Sequence, residues 1–288
     1  MDVIKRFMFA DDSVLVTVIS AKDLINKAVK AHDLSATATA ALGRTLMVGA
    51  FMSNSFKDKN QRLSITVNGG GGLGKIVVAG DFGGVVKGYV EHPHFELPTK
   101  NGKLDVGGAV GKDGYITVIK DLGLKEPYSG RCALVNGEIA TDFAYYFTVS
   151  EQQPSAVALG VLVDKTGCTA AGGVFIQPLP GCADHVITML EDIATNFTHV
   201  SELFLNFTPD EIIERYFGQF DIHRLPDGKP KWACKCSRKR LEKVVLSLGK
   251  EEATDIVNTE GKIEICCNFC GKKYVFTKDD VETLFLNK

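Results

Sequence analysis

Cys234-Lys235-Cys236 and Cys267-Asn268-Phe269-Cys270, separated by the 30 residues from Ser237 to Cys266, decide how the C-terminal part of this chain folds. Four thiolates in two close pairs can complete a tetrahedral zinc site, and the same pairs can instead close as two disulfides when an oxidant arrives. The second spacing is that of a zinc knuckle. Its tight turn converges two sulfurs, and Gly271, directly after Cys270, supplies the backbone freedom such a turn wants. The first spacing is less common in permanent structural sites. A disulfide across one intervening residue closes a small strained ring that is easily reduced, which suits a reversible switch. Spacing alone leaves both readings open: a plain structural zinc ribbon and a redox switch.

Around the pairs, the pattern predicts a helix over 238–248, a short one over 251–257, a strand over 262–265 with its hairpin partner over 274–276, and a terminal helix over 279–285. So few large apolar residues make a small core. Zinc would then supply much of the folding free energy, about 10–16 kcal/mol in apparent terms for small zinc peptides. Lys229, Lys231, Lys235, Arg238, Lys239, Arg240 and Lys243 surround the first pair. Beside an ordinary solvated face, such a cluster offers a nucleic-acid contact or a field that keeps sulfurs as thiolates.

Eight cysteines, no signal peptide at Met1-Asp2-Val3-Ile4-Lys5-Arg6 and no apolar run long enough to span a bilayer argue for a reducing, cytoplasmic setting without membrane contact. Cys132, Cys168 and Cys182 stand alone among apolar or small residues and read as small buried or half-buried side chains. Cys266 adjoins Cys267 but points to the other side of a strand, so it reads as a non-ligand that could compete for a disulfide.

At 45% hydrophobic residues, the 288-residue chain can bury a substantial core. Its charge steps along the sequence: residues 1–181 carry net +1, residues 182–228 net −7 and residues 229–288 net +4. The expected division is an α+β N-terminal domain over 1–181, an acidic helical linker over 182–228 and a small zinc-binding domain over 229–288. Attraction between the acidic linker and the basic tail would help hold a closed state, with Asp210, Glu211 and Glu214 as its carriers.

Within the first segment, Ser20-Ala21-Lys22-Asp23 resembles a capping box before a helix with apolar face Leu24, Ile25, Ala28 and Val29. Ser35 opens a helix over 36–51 that is apolar nearly all round and therefore buried. Strands are expected over 63–67, 75–79, 85–90, 115–120, 132–135 and 157–164, with a helix over 138–152, giving β-sheets around a buried helix. The run Asn68-Gly69-Gly70-Gly71-Gly72-Leu73-Gly74 lacks the Gly-Lys-Ser/Thr ending of a phosphate loop and precedes a strand, so it reads as a flexible turn. His32, His92, His94, His185, His199 and His223 form no zincin pattern, and no nucleophile elbow is present, so no catalytic residue is expected. In the linker, a helix over 183–197 and a second one capped by Thr208-Pro209-Asp210-Glu211 flank the apolar run 200–207. Such apolar stripes must dock on something, or become a binding surface when released.

The sequence resembles the redox-regulated thirty-three-kilodalton heat-shock chaperone family known as HslO. The likeness rests on Cys234-Lys235-Cys236-Ser237 and Cys267-Asn268-Phe269-Cys270 in order, on Ser150-Glu151-Gln152-Gln153-Pro154-Ser155, and on turns such as Pro127-Tyr128-Ser129-Gly130 and Gln177-Pro178-Leu179-Pro180-Gly181. It covers essentially the whole chain. The resemblance implies an ATP-independent holdase, not an enzyme, that is inactive while Cys234, Cys236, Cys267 and Cys270 bind one zinc ion. It implies that oxidation pairs Cys234 with Cys236 and Cys267 with Cys270, releases zinc, unfolds the zinc domain and linker, exposes apolar surface to unfolding client proteins and favours homodimers. The competing reading is a zinc-ribbon nucleic-acid binder, motivated by the basic cluster and Trp232. A thiol-disulfide oxidoreductase fits less well, because the C-x-x-C does not open a helix after a strand.

Overall fold

The computed structural model describes residues 1–286. In chain order its elements are β1 (Val3–Phe9), β2 (Val14–Ser20), α1 (Lys22–His32), α2 (Ala36–Asn54), β3 (Arg62–Asn68), β4 (Ile76–Asp81), β5 (Val85–Val90), α3 (Val106–Val110), β6 (Tyr115–Asp121), β7 (Tyr128–Ala133), α4 (Ala140–Val149), β8 (Ala156–Asp164) and β9 (Gly167–Pro178). Next come α5 (Asp184–Thr195), α6 (Val200–Asn206), α7 (Pro209–Phe217), β10 (His223–Gly228), β11 (Lys231–Trp232), α8 (Arg238–Leu248), α9 (Lys250–Glu260), β12 (Ile263–Cys266), β13 (Lys273–Phe276) and α10 (Lys278–Leu286). Two compact units result, Met1–Ala233 and one that begins at Cys234.

In the first unit α2 lies at the centre. Fifteen of its nineteen residues are buried, and it packs against β4, β5 and β3 on one side and β8, β9 and β2 on the other. The two layers are a five-stranded sheet, β10-β1-β2-β9-β8, and a six-stranded sheet, β11-β5-β4-β3-β6-β7. A helix without a polar stripe can exist in water only if apolar neighbours enclose it, and two sheets do so here. Ser35 caps it, its Oγ accepting from Ala38 N at 3.1 Å.

The start of α1 departs from the capping-box expectation. Ser20 ends β2, where its hydroxyl accepts from Val3 N, and Ala21 caps nothing. The orphan amides of Asp23 and Leu24 are instead answered by the carboxylate of Asp2, at 3.0 and 2.6 Å. A cap supplied from across a sheet leaves no local signature. The strand expected over 132–135 overlaps β7 only at Cys132 and Ala133, since β7 starts earlier and ends before Leu134, and the helix over 138–152 is trimmed to α4.

The glycine run closes against the backbone after α3. A Cβ at Gly69 would sit 2.2 Å from Gly111 O, and one at Gly71 would sit 2.3 Å from Ala109 O. Gly69 and Gly71 therefore serve close chain packing.

On the outer face of the five-stranded sheet, Phe7, Phe9, Val14, Val16, Val18, Val174 and Ile176 are covered by Val186, Leu190 and Ile193 of α5, Val200 of α6 and Ile212, Ile213 and Phe217 of α7. Thr208 and Glu211 form a capping box at the start of α7. Asp210 is engaged within the same unit, 3.2 Å from Lys5 Nζ and 3.0 Å from Arg224 Nη1. Among the described residues no helix is long and apolar enough to cross a membrane.

Candidate metal centre

The second unit has a small core, Val245, Ala253, Val257, Ile263, Tyr274, Phe276 and Val281 among the described residues. Its cysteines come from two places. Cys234 and Cys236 lie in the extended segment before α8, whose first turn is capped by Ser237, with Oγ accepting from Arg240 N at 3.3 Å. Cys267 follows β12 and Cys270 sits in the turn to β13, where Cys270 N and Gly271 N both donate to Cys267 O, at 3.2 and 2.8 Å. Gly271 takes φ +67°, the left-handed conformation that the knuckle requires.

These turns bring the Sγ atoms of Cys234, Cys236, Cys267 and Cys270 within 4.8 Å of one another, a group that could hold a metal ion. Between the pairs, Cys234 Sγ lies 3.7 Å from Cys267 Sγ and Cys236 Sγ lies 3.4 Å from Cys270 Sγ. All four are half-buried. Cys266 stays outside the group, exposed, with Sγ turned to Gly271 O at 3.5 Å.

The chemistry of the donor set fits a borderline or soft divalent ion, which takes thiolate sulfur in tetrahedral number. Electrostatics points the same way. Burial pushes the Cys270 thiol up to about 12, reinforced by the other three sulfurs, and also raises Cys234, where Cys236 and Cys267 add to the rise and Cys270 opposes it. Cys236 alone is brought down, to about 7: burial opposes its ionisation, but hydrogen bonds from Tyr274 and the other three thiols outweigh it. Four sulfurs at this separation can share one negative charge readily and further charges only with a cation among them.

Tyr274, which the sequence reading placed in a strand and not at the site, is the added member. Its hydroxyl donates to Cys236 Sγ at 3.2 Å. The signal was a tyrosine four residues beyond Cys270, across a hairpin that folds it back. The basic cluster divides. Arg238 pairs with Asp280 at 2.8 Å, donates to Val275 O and covers the Phe276 ring, so it joins α8 to α10 and β13. Lys239 and Arg240 are exposed. Trp232 packs against the core of the first unit with its ring edge-on to His32 at 6.0 Å.

Residues 2–277 match the family model described as Hsp33 protein. The chain belongs to the Hsp33 family. Among its relatives, a 33 kDa chaperonin of Caldanaerobacter subterraneus subsp. tengcongensis is 44% identical over 286 residues, 98% of this chain and 97% of the relative. A 33 kDa chaperonin of Clostridium botulinum, strain Eklund 17B, is 46% identical over 272 residues, 92% of this chain and 91% of the relative. The crystal structure of the 33 kDa chaperonin, an Hsp33 homologue, from Thermotoga maritima superposes with a TM-score of 0.91 at 34% identity, covering 99% of this chain and 98% of that one. Hsp33 membership and these names support a chaperone, and the four-cysteine cluster is compatible with zinc and with redox-sensitive disulfides.

Proposed function

We propose that this protein is an ATP-independent holdase for unfolding client proteins, held inactive in a reduced zinc-loaded state and switched on by oxidation. The observation that carries the reading is the convergence of the four thiols on a unit whose own apolar core is small. When bound, one zinc ion would be held by Cys234, Cys236, Cys267 and Cys270 and would supply the positive charge that lets all four ionise.

The residues themselves carry the switch. A peroxide- or hypochlorite-class oxidant takes two electrons from each pair of thiolates; Cys234 and Cys236 close one disulfide, Cys267 and Cys270 the other, and the oxidant leaves as water or chloride. Each bonded sulfur ceases to be a thiolate donor. The segment before α8 is then no longer tied to the β12–β13 turn, and the small core around Phe276 is left to hold the unit alone. In this reading the linker over 182–228 comes free as well, and the outer sheet face of Phe7, Phe9, Val16 and Ile176 becomes a surface for apolar segments of clients. Homodimers of the active form and a cytoplasmic setting belong to the same proposal.

The test is suppression of aggregation of a chemically denatured client by reduced zinc-loaded protein and by peroxide- or hypochlorite-treated protein, with zinc release followed in parallel. Activity should appear with metal loss. Oxidation that leaves the metal in place, or metal loss that brings no protection, would overturn the reading. Salt-steep binding of RNA or DNA by the reduced protein would favour a nucleic-acid binder instead.

A further inference from the structure

β8 forms one edge of the five-stranded sheet and pairs only with β9. Which of its residues turn their main chain outward follows from that neighbour. Ala171 O accepts from Ala21 N, and Leu179 N donates to Ser13 O, so residues 171 and 179 and the odd-numbered residues between them point toward β2. The even-numbered residues then point toward β8. Ala158 and Gly160, opposite Val174 and Gly172, therefore bond to β9, whereas Val157, Leu159 and Val161, opposite Phe175, Gly173 and Ala171, hold N–H and C=O toward the free side. Among the described residues none of these outward groups has a hydrogen-bond partner.

Native sheets blunt such an edge with a charge, a proline or a covering element. From Ala156 to Val163 this strand carries neither charge nor proline. Beside it lies space. A recess of about 200 Å³ borders residues 156–159 and another of about 330 Å³ borders residues 159–163, with Leu159, Thr198 and Val200 common to both. One side of the larger recess is Ala40 and Arg44 of α2, inside the sheet, and the other is the segment from Thr198 to Glu202, outside it, so the strand edge is its floor. Arg44 pairs with Glu138 and His199 lies 3.9 Å from Glu202, which leaves Lys103 as the lining cation without an ion pair among the described residues. Main chain, more than charge, is what the groove offers.

We propose that the free edge of β8 takes an extended segment of an unfolding client as an added strand, bonded to the main chain of Val157, Leu159 and Val161. The identity of the partner rests on the chaperone reading above. Every unfolded chain carries the same N–H and C=O groups, so recognition of this kind is indifferent to sequence, as a holdase requires. Walls on both sides favour a single extended strand over the edge of a folded sheet, whose own layers would meet them. When the linker leaves, the wall from Thr198 to Glu202 leaves with it and the edge opens along its length.

The experiment adds the peptide acetyl-Thr-Val-Thr-Val-Thr-amide to the oxidised full chain and to the reduced, zinc-loaded one, and follows amide hydrogen exchange residue by residue by NMR. At saturation of the oxidised chain, exchange at Val157, Leu159 and Val161 should slow by at least about tenfold, while Ala158 and Gly160, already bonded to β9, change little. A twin peptide N-methylated at every residue keeps the side chains, loses the donors and should bind at least about tenfold more weakly. Val157→Pro removes one outward donor, leaves the ladder to β9 intact and should weaken the parent peptide about tenfold. Unchanged exchange at these residues, equal binding of the methylated twin or unchanged affinity in folded Val157→Pro would overturn the proposal. Slow exchange there without peptide, together with a dimer mass, would assign the edge to a second copy and overturn it as well. Client protection on oxidation with no change at β8 removes this site and leaves the chaperone reading standing; slowed exchange at β8 without client protection keeps the site and removes that reading. The peptide comparison uses the unaltered chain, so it decides the matter even if the variant fails to fold.

Discussion

Tyr274 donates its hydroxyl proton to Cys236 Sγ at 3.2 Å, so a hairpin residue steadies one of the four clustered sulfurs from outside the cluster. Groups that hydrogen-bond a ligand atom orient it and lower the cost of its charge, and removing them typically lowers metal affinity about 10–100-fold. Tyr274→Phe keeps the ring that packs in the small core and deletes only the donor. It should lower zinc affinity by about tenfold with little change in the folded metal-loaded spectrum, read by competition with a chromophoric chelator. Wild-type affinity in the variant would mean that the bond contributes nothing to the site.

Close sulfur contacts join opposite pairs, Cys234 with Cys267 and Cys236 with Cys270, whereas the proposed switch joins each pair within itself. The difference has a mechanical consequence. Disulfides between the pairs would keep the segment before α8 stapled to the β12–β13 turn and hold the unit closed; disulfides within the pairs let it open. Peptide mapping of the oxidised, active protein should therefore find Cys234–Cys236 and Cys267–Cys270. Bridges between the pairs in an active preparation would sink the release mechanism.

Much of this was legible in the sequence, for reasons that differ by element. The helix inside 36–51 announced itself by having no polar stripe, and α8 matches its expected bounds because Ser237 caps it locally and Gly249 ends it. Sequence spacing alone singled out the four cysteines, since a knuckle turn is a local structure. Strands β1, β2 and β9 were not anticipated. β2 is buried on nearly every residue and β9 runs through Ala170, Ala171, Gly172 and Gly173, so neither alternates as a half-exposed strand does. β10, with Pro226, is an edge strand whose pairing with β1 spans most of the chain. Asp2 as the cap of α1 and Tyr274 at Cys236 share that cause: contacts made by the fold and not by neighbours in sequence.

Burial pushes the Cys132 thiol up to about 11, with Asp142 adding to it, and the Cys168 thiol up to about 12. Raised values mean that the reactive thiolate forms only as pH climbs past them, so both groups stay protonated at pH 8. Alkylation of Cys132 and Cys168 in the native protein should be at least about a hundredfold slower than that of an unhindered thiol, while exposed Cys266 reacts early. Mass spectrometry of timed labelling checks this, with denatured protein as the reference. Fast native labelling of Cys168 would show that the interior around it opens readily.

Asp210 joins α7 to β1 through Lys5 and to β10 through Arg224, while Glu211 is occupied in capping its own helix. The acidic linker is thus anchored within the first unit at Asp210, and attraction to the basic tail is not needed to explain that residue. Half-exposed pairs of this kind are worth about 0–1 kcal/mol each. Asp210→Lys converts two attractions into repulsions and should raise chaperone activity of the reduced protein slightly, an effect that shrinks in high salt. Glu211→Lys should act through loss of the cap, about 1 kcal/mol, and respond less to salt. Identical salt dependence of the two variants would count against the assignment.

Phe217 offers the stronger lever on the same helix. It is fully buried, with Phe7 edge-on at 5.1 Å, Phe9 at 5.9 Å and Phe197 at 6.4 Å, so it ties α7 to β1 and to the segment just after α5. Phe217→Ala removes a buried ring at a cost of about 3–5 kcal/mol, most of what a short helix such as α7 can gain from docking. With α7 loosened, Phe7 and Phe9 are uncovered while the cysteines stay reduced and metal-loaded. The variant should therefore protect a denatured client without any oxidant, and a protease should cut first near 206–222 while α2 and both sheets survive. Protease resistance there together with new activity would separate the client surface from this face. Early cutting with no gain in activity would show that uncovering Phe7 and Phe9 is not what client binding requires.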